Sequence, residues 1–369
     1  MRITDVEPIP LAPRWLFVKI TTDGGLVGWG ECLGDRALTI AEAVRELRRY
    51  LMGKDPFQIE HHWQAMYRGA FWRGGPILNA AISGVDIALW DILGKALNAP
   101  VWQLMGGKCR EKIRMYRGIG GATPEKVAES ARQAFAAGFT AVKWCPVPGT
   151  PVLAGRQGAL QAAAQVRAVR EAIGEEVDIL LDFHGRLSVA MAIVYARAVE
   201  PYGPMFIEEP ILPEHSREIP HIAQMTSIPI ATGERLFTKY GFRDVLAAGG
   251  IAMIQPDLSI CGGLTEGKKI AAMADSYNVG VGPHDPYGPI LTAASLHLDT
   301  CTPNFVIQEH VSLGEGLFRN PFRQEGGYVA LPQGPGLGID VDEEAVRARP
   351  YTAVDVPILY SSDGSVVDW

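Results

Sequence analysis

The chain has 369 residues, 47% hydrophobic and 20% charged, with a net charge of −7. That length accommodates a barrel of about 200–250 residues plus a smaller domain, and the acidic balance gives no footprint for nucleic acid. No apolar run reaches the roughly 18 residues of a membrane span, and the five dispersed cysteines read as reduced thiols of a cytoplasmic protein.

The first 111 residues read as an α+β layer. Three short strands are expected over 2–9, 14–21 and 26–30, with the turn Asp23-Gly24-Gly25 between the last two. Helical periodicity follows over 39–52, 57–69 and 77–97, the last placing Ile77, Ala80, Ala81, Val85, Ala88 and Leu89 on one face. From residue 112 the rhythm changes to α/β. Apolar runs over 112–118, 140–144, 177–182, 204–208, 228–232, 251–256, 278–283 and 304–308 predict strands. Amphipathic segments over 125–137, 157–172, 188–200, 237–248 and 264–277 alternate with them, as in a parallel sheet covered on both faces. Thr123-Pro124-Glu125 is a helix start and Gly138 a stop. So many units favour a barrel over 112–322, and no Gly-x-Gly-x-x-Gly follows the first strand to support a dinucleotide fold. The Gly- and Pro-rich segment 323–369 is expected to return to the N-terminal layer.

Polar residues close these strands at nearly constant steps. Asp182, Glu208, Glu234, Asp257, His284 and Glu309 are separated by 26, 26, 23, 27 and 25 residues, about one strand plus one helix. The C-terminal ends of barrel strands are where active sites are built. Any one of these acids alone reads as a helix cap or an ion-pair partner. Three converging carboxylates, Asp182, Glu208 and Glu234, repel one another unless a cation lies between them, and hard oxygen donors favour Mg²⁺ over Zn²⁺. His184 shares a strand face with Asp182 if side chains alternate, which suits acid/base work beside the metal. His284 and Asp257 end adjacent strands, and a carboxylate partner raises imidazole basicity. Glu309 would donate a hydrogen bond to a developing oxyanion if its pKa were raised.

The motifs LDFHGR, FIEEP, GER, QPDLS, PH and QE, following WDILGKALNAPVWQLMGG, resemble the enolase superfamily in its mandelate racemase subgroup. The similarity runs from GWGE to DGSVVDW and is greatest to the D-galactonate dehydratase branch. It implies an α+β capping domain over a modified (β/α)7β TIM-like barrel, with Mg²⁺ held by Asp182, Glu208 and Glu234. It further implies that His284, paired with Asp257, removes the proton next to a substrate carboxylate, that His184 protonates the departing β-hydroxyl, and that the chain is a homo-oligomer. The small-molecule substrate would be an acid sugar.

Many members of the subgroup carry Lys-x-Lys at the end of the second barrel strand. This chain reads Lys143-Trp144-Cys145, so dehydration is favoured over racemisation. Specificity is expected from Arg14-Trp15, from Tyr67-Arg68 through Arg73-Gly74-Gly75, and from the proline-rich segment after Cys145. Asp-Pro-Tyr after His284 and those prolines leave room for another aldonate, such as gluconate or a pentonate. An acid-sugar epimerase stays open, as does an inactive metal-binding regulatory protein, although His184 and His284 together argue against the latter.

Overall fold

The computed structural model describes every residue except Ala70, Val354, Val356 and Ser362. Ala70 falls in the second predicted specificity loop, and the other three fall in the segment after 323.

The N-terminal layer is a three-stranded antiparallel sheet of β1 (Ile3–Leu11), β2 (Trp15–Thr22) and β3 (Val27–Cys32). It packs on α1 (Ala37–Leu51), α2 (Ile59–Arg68) and α3 (Pro76–Ala96), followed by the short α4 (Val101–Leu104). Contact between β3 and α3 is close because two backbones meet there. A side chain at Gly30 would overlap the Gly84 carbonyl, and one at Gly84 would overlap the Cys32 thiol, so both positions need glycine. Among the described residues, α3 is the helix long and apolar enough to cross a membrane, yet 78% of that stretch is buried in the protein. Its period is blurred because it is covered nearly all round, as expected of a central helix. Buried Asp91 on α3 accepts from the backbone of Trp29 and Leu337 and from Lys95.

Strands and helices then alternate. In order these are β4 (Lys112–Gly118), α5 (Pro124–Ala136), β5 (Ala141–Trp144), α6 (Gln157–Ile173), β6 (Asp178–Asp182) and α7 (Val189–Val199). They continue as β7 (Phe206–Glu208), α8 (Ile219–Ala223), β8 (Ile230–Thr232), α9 (Thr238–Ala248), β9 (Met253–Ile254) and α10 (Gly263–Ser276). The last units are β10 (Gly280–Val281), α11 (Pro289–Thr300) and β11 (Gln308–His310). Thr123 caps α5 by accepting from the Lys126 amide, with Pro124 in the first turn.

Parallel ladders run from β10 through β9, β8, β7, β6, β5 and β4 to β11. The sheet does not close as a continuous ladder. Between β10 and the segment entering β11 there is one bridge, Val281 with Phe305, held by Val281 N–H to Asn304 O (2.9 Å) and Val306 N–H to Val281 O (2.8 Å). The strand expected over 304–308 is therefore split into that bridge and β11.

The rest of the chain touches both layers. β12 (Gln324–Glu325) and β13 (Tyr328–Ala330) form a hairpin antiparallel to β4. α12 (Glu343–Arg347) sits on the N-terminal sheet through Lys19 to Glu343 (2.7 Å) and Arg347 to Glu7 (2.8 Å). A last hairpin, β14 (Leu359–Tyr360) with β15 (Val366–Val367), returns to the mouth of the barrel.

Candidate active site

The strand ends line a cavity of about 910 Å³ whose walls include Arg14 and Asp35 from the N-terminal layer and Trp369 from beyond the last hairpin. Asp182 and Glu208 are lateral partners in the β6–β7 register. Glu208 is fully buried, and Lys143 on β5 donates to both of its oxygens at 2.8 and 3.0 Å. The same ammonium lies 3.3 Å from Glu309 and over the Tyr116 ring. Burial alone would push the Lys143 proton off; Glu208 and Glu309 outweigh it and hold the lysine charged well above its ordinary range. Burial raises Glu208 despite this partner.

Glu234, in the turn after β8, is pushed well above the carboxylate range by burial and by Asp182, Glu209 and Glu208, with His284 opposing. Its Oε2 lies 3.5 Å from His284 Nε2 but has no hydrogen-bond partner. One donor atom each from Glu208, Glu234 and His284 lies within 4.8 Å of the others. Asp182 is outside that group. Its Oδ2 meets His184 Nε2 at 2.8 Å and its Oδ1 accepts the His184 amide at 2.8 Å. Carboxylates at or just past the ends of three successive strands, two of them buried and the third, Glu234, half-buried with an orphaned oxygen, fit a hard divalent cation.

His184 reaches the cavity by a different route from the one its spacing suggests. β6 ends at Asp182, and His184 sits in the left-handed region at φ 52°, followed by Gly185 at φ 67°. A turn closed on the Asp182 carboxylate aims the ring, not strand alternation; such backbone is uncommon for a non-glycine residue and concentrates at functional sites. Burial lowers the pKa of His184, but Asp182 reverses this and lifts it to about 11.

His284 Nδ1 pairs with Asp257 Oδ2 at 3.0 Å. Asp257 is itself fixed by Ser259, whose amide and hydroxyl both donate to Oδ1 (2.7 and 2.6 Å). Burial opposes protonation of His284; Glu234, Asp257 and Glu309 overcome it and raise the pKa to about 10. Glu309 differs from the sequence expectation. Burial raises it, yet Lys143, His284 and the Asp285 amide (2.9 Å) hold it below the ordinary range. It is an acceptor in this arrangement, and the donors beside it are the Asp285 amide and Lys143.

Residues 11–106 match the mandelate racemase / muconate lactonizing enzyme N-terminal domain, and residues 126–345 the enolase C-terminal domain-like family. The chain belongs to the enolase superfamily, in its mandelate racemase subgroup. Within that superfamily it is 47% identical to a D-galactonate dehydratase of Cronobacter sakazakii and 46% identical to one of Ralstonia nicotianae, each match spanning 100% of both chains. A crystal structure of an enolase superfamily member from Salmonella Typhimurium superposes with a TM-score of 0.90 at 35% identity, covering 95% of this chain and 98% of that one. A mandelate racemase/muconate lactonizing enzyme from Jannaschia sp. CCS1 gives 0.88 at 35%, covering 96% and 99%.

Lys143 is within reach of sequence reasoning, since its alternate neighbour Cys145 marks the same strand end. Glu209 and Arg235 are not. Buried Glu209 accepts from Thr232, the Gly233 amide and Arg235 (2.5, 2.9 and 2.9 Å), locking the turns that carry Glu208 and Glu234. Trp369, against His184, carries no signal in the sequence spacing.

Proposed function

We propose that the chain is a Mg²⁺-dependent hydro-lyase that converts D-galactonate to 2-dehydro-3-deoxy-D-galactonate and water. The observation that carries this is a pair of imidazoles, each hydrogen-bonded to its own carboxylate, lining one cavity that also holds the buried acid cluster. Asp182, Glu208 and Glu234 would hold the cation, which when bound neutralises the substrate carboxylate and makes the adjacent C–H more acidic.

His284 takes the C2 proton, with Asp257 fixing the ring tautomer and stabilising the imidazolium that forms. The electron pair left at C2 becomes an enediolate. Lys143, oriented by Glu208 and Glu309, is this chain's own positive charge near that dianion. His184 gives a proton to the C3 hydroxyl as the C3–O bond breaks, so water leaves and the C2–C3 double bond forms. The resulting enol takes a proton at C3 and becomes the 2-keto-3-deoxy acid.

A related aldonate is the second reading, because Cys145 and Tyr287, from the two segments in which the chain departs from the expected pattern, both line the cavity. The test is a screen of C5 and C6 aldonates and aldarates with Mg²⁺, detecting 2-keto-3-deoxy products. D-galactonate should give the highest kcat/KM. Product from another aldonate alone would move the assignment to the second reading. Deuterium exchange at C2 with no keto acid from any sugar would point to an epimerase and overturn the dehydratase reading.

A further inference from the structure

The reaction above assigns no task to Trp369, although it lines the same cavity. Its indole stacks on the His184 ring, with centroids 5.3 Å apart and planes 12° from parallel. The His184 ring is otherwise held at one end: Nε2 meets Asp182, while Nδ1 is buried without a hydrogen-bond partner, and the Cys145 thiol is among the groups that act on the imidazole. One hydrogen bond leaves a ring free to swing about that bond, whereas a flat surface against its face does not.

The indole is delivered by a defined support. The hairpin β14–β15 rests on the proline-rich segment after Cys145, where a Cβ on Gly149 would meet Val367 Cγ2 at 3.0 Å and Leu359 Cβ at 3.6 Å. Arg186 ties this segment to the turn after β6, donating to Val147 O at 2.6 Å and Cys145 Sγ at 3.3 Å. Its guanidinium also lies 6.0 Å from the Trp369 ring centroid.

We propose that Trp369 is a positioning residue for His184, and that the last hairpin is a strap holding the indole against the imidazole so that the ring addresses the leaving hydroxyl. The inference rests on the dehydratase reading for its kinetic consequence. Its physical content, a ring oriented by stacking, does not depend on the substrate.

Three variants test it: Trp369→Ala, Trp369→Phe, and Gly149→Val, which pushes the hairpin off its support without altering either ring. Trp369→Ala should lower kcat for water elimination by about 10- to 100-fold, the scale of a misplaced reacting group, with KM changed by less than about threefold. Deuterium wash-in at C2 of recovered substrate, which needs His284 and not His184, should fall by less than about twofold. Trp369→Phe should restore most of the rate, and Gly149→Val should behave as Trp369→Ala. In protein carrying ¹³C-labelled histidine, the His184 ring resonances should lose an indole ring-current shift in both weakened variants. Elimination and exchange falling in equal proportion, or full turnover in Trp369→Ala, would overturn the proposal. If the unaltered protein dehydrates no aldonate, the functional reading fails. The ring-current shift then decides alone, and its absence would sink the strap.

Discussion

His284 carries a pH signature at the scale of single residues. Its pKa stands at about 10, against an ordinary value of 6.5, because anionic neighbours outweigh burial. A group raised in this way adds stability that is complete below its unfolded pKa and is lost as pH rises through the folded one. The imidazolium and a dication also answer the same negative charge, so cation binding should expel the proton. Mg²⁺ affinity is therefore expected to rise between about pH 6.5 and 10. Calorimetry in buffers of different ionisation enthalpy should show protons released at pH 8, with about one fewer in His284→Asn. That variant should also lose C2 proton exchange altogether, whereas His184→Asn should keep some exchange and lose elimination.

The loss of Lys143 can be forecast too. Lys143→Met removes the partner of a carboxylate with no access to water. Breaking a buried pair from one side costs about 3–5 kcal/mol, and loss of the charge should cut kcat by about 10²–10³. Urea unfolding and steady-state kinetics measure the two separately. Lys143→Met with unchanged stability would show that Glu208 finds another partner.

At the scale of elements, the N-terminal layer reaches into the barrel through Glu31 on β3. Its two oxygens accept from the Gly288 and Leu291 amides at 2.6 and 2.8 Å, at the start of α11, where free N–H groups and the helix dipole both favour an acid. A side chain at Gly288 would overlap the Glu31 carboxylate. Glu31→Gln turns an NH₂ toward one of those amides and should cost about 1–3 kcal/mol. The loop it loosens, 285–288, follows His284 directly, so a drop in kcat should accompany the drop in Tm.

Elements are also where the sequence is most and least legible. From β6 to β10 the barrel strands are short apolar runs with a polar residue at or soon after their ends, so periodicity and punctuation agree there. Helix α11 is buried along all of its residues and shows no amphipathic period, so it is absent from the expected helices. Strand alternation gives the wrong route for His184 because a turn closed by a side chain leaves no trace in it. Trp369 is invisible because stacking between residues 185 positions apart has no local signature. Asp182, Glu208, Glu234, Asp257, His284 and Glu309 are nameable because the fold repeats, and a repeat turns spacing into position.

For the whole molecule, a bound cation would tie three strands to one another. It should stabilise the native state by mass action, about 2.7 kcal/mol at 100 times Kd. Adding Mg²⁺ should therefore raise Tm, EDTA should reverse the rise, and Glu234→Gln should show neither effect. An equal rise in Glu234→Gln would mean that the ion binds elsewhere.

The single bridge at Val281 and Phe305 gives this molecule a hinge line that a fully laddered barrel lacks. It runs between the strand leading to His284 and the strand carrying Glu309, whose facing atoms are 4.0 Å apart. Every other neighbouring pair of barrel strands is held by at least two ladder pairs, so breathing of the sheet should concentrate on this side. The gap between His284 and Glu309 is then the dimension of the cavity most free to adjust. Amide exchange should report it directly, with Val281 and Val306 losing protection before the amides of β5 and β6.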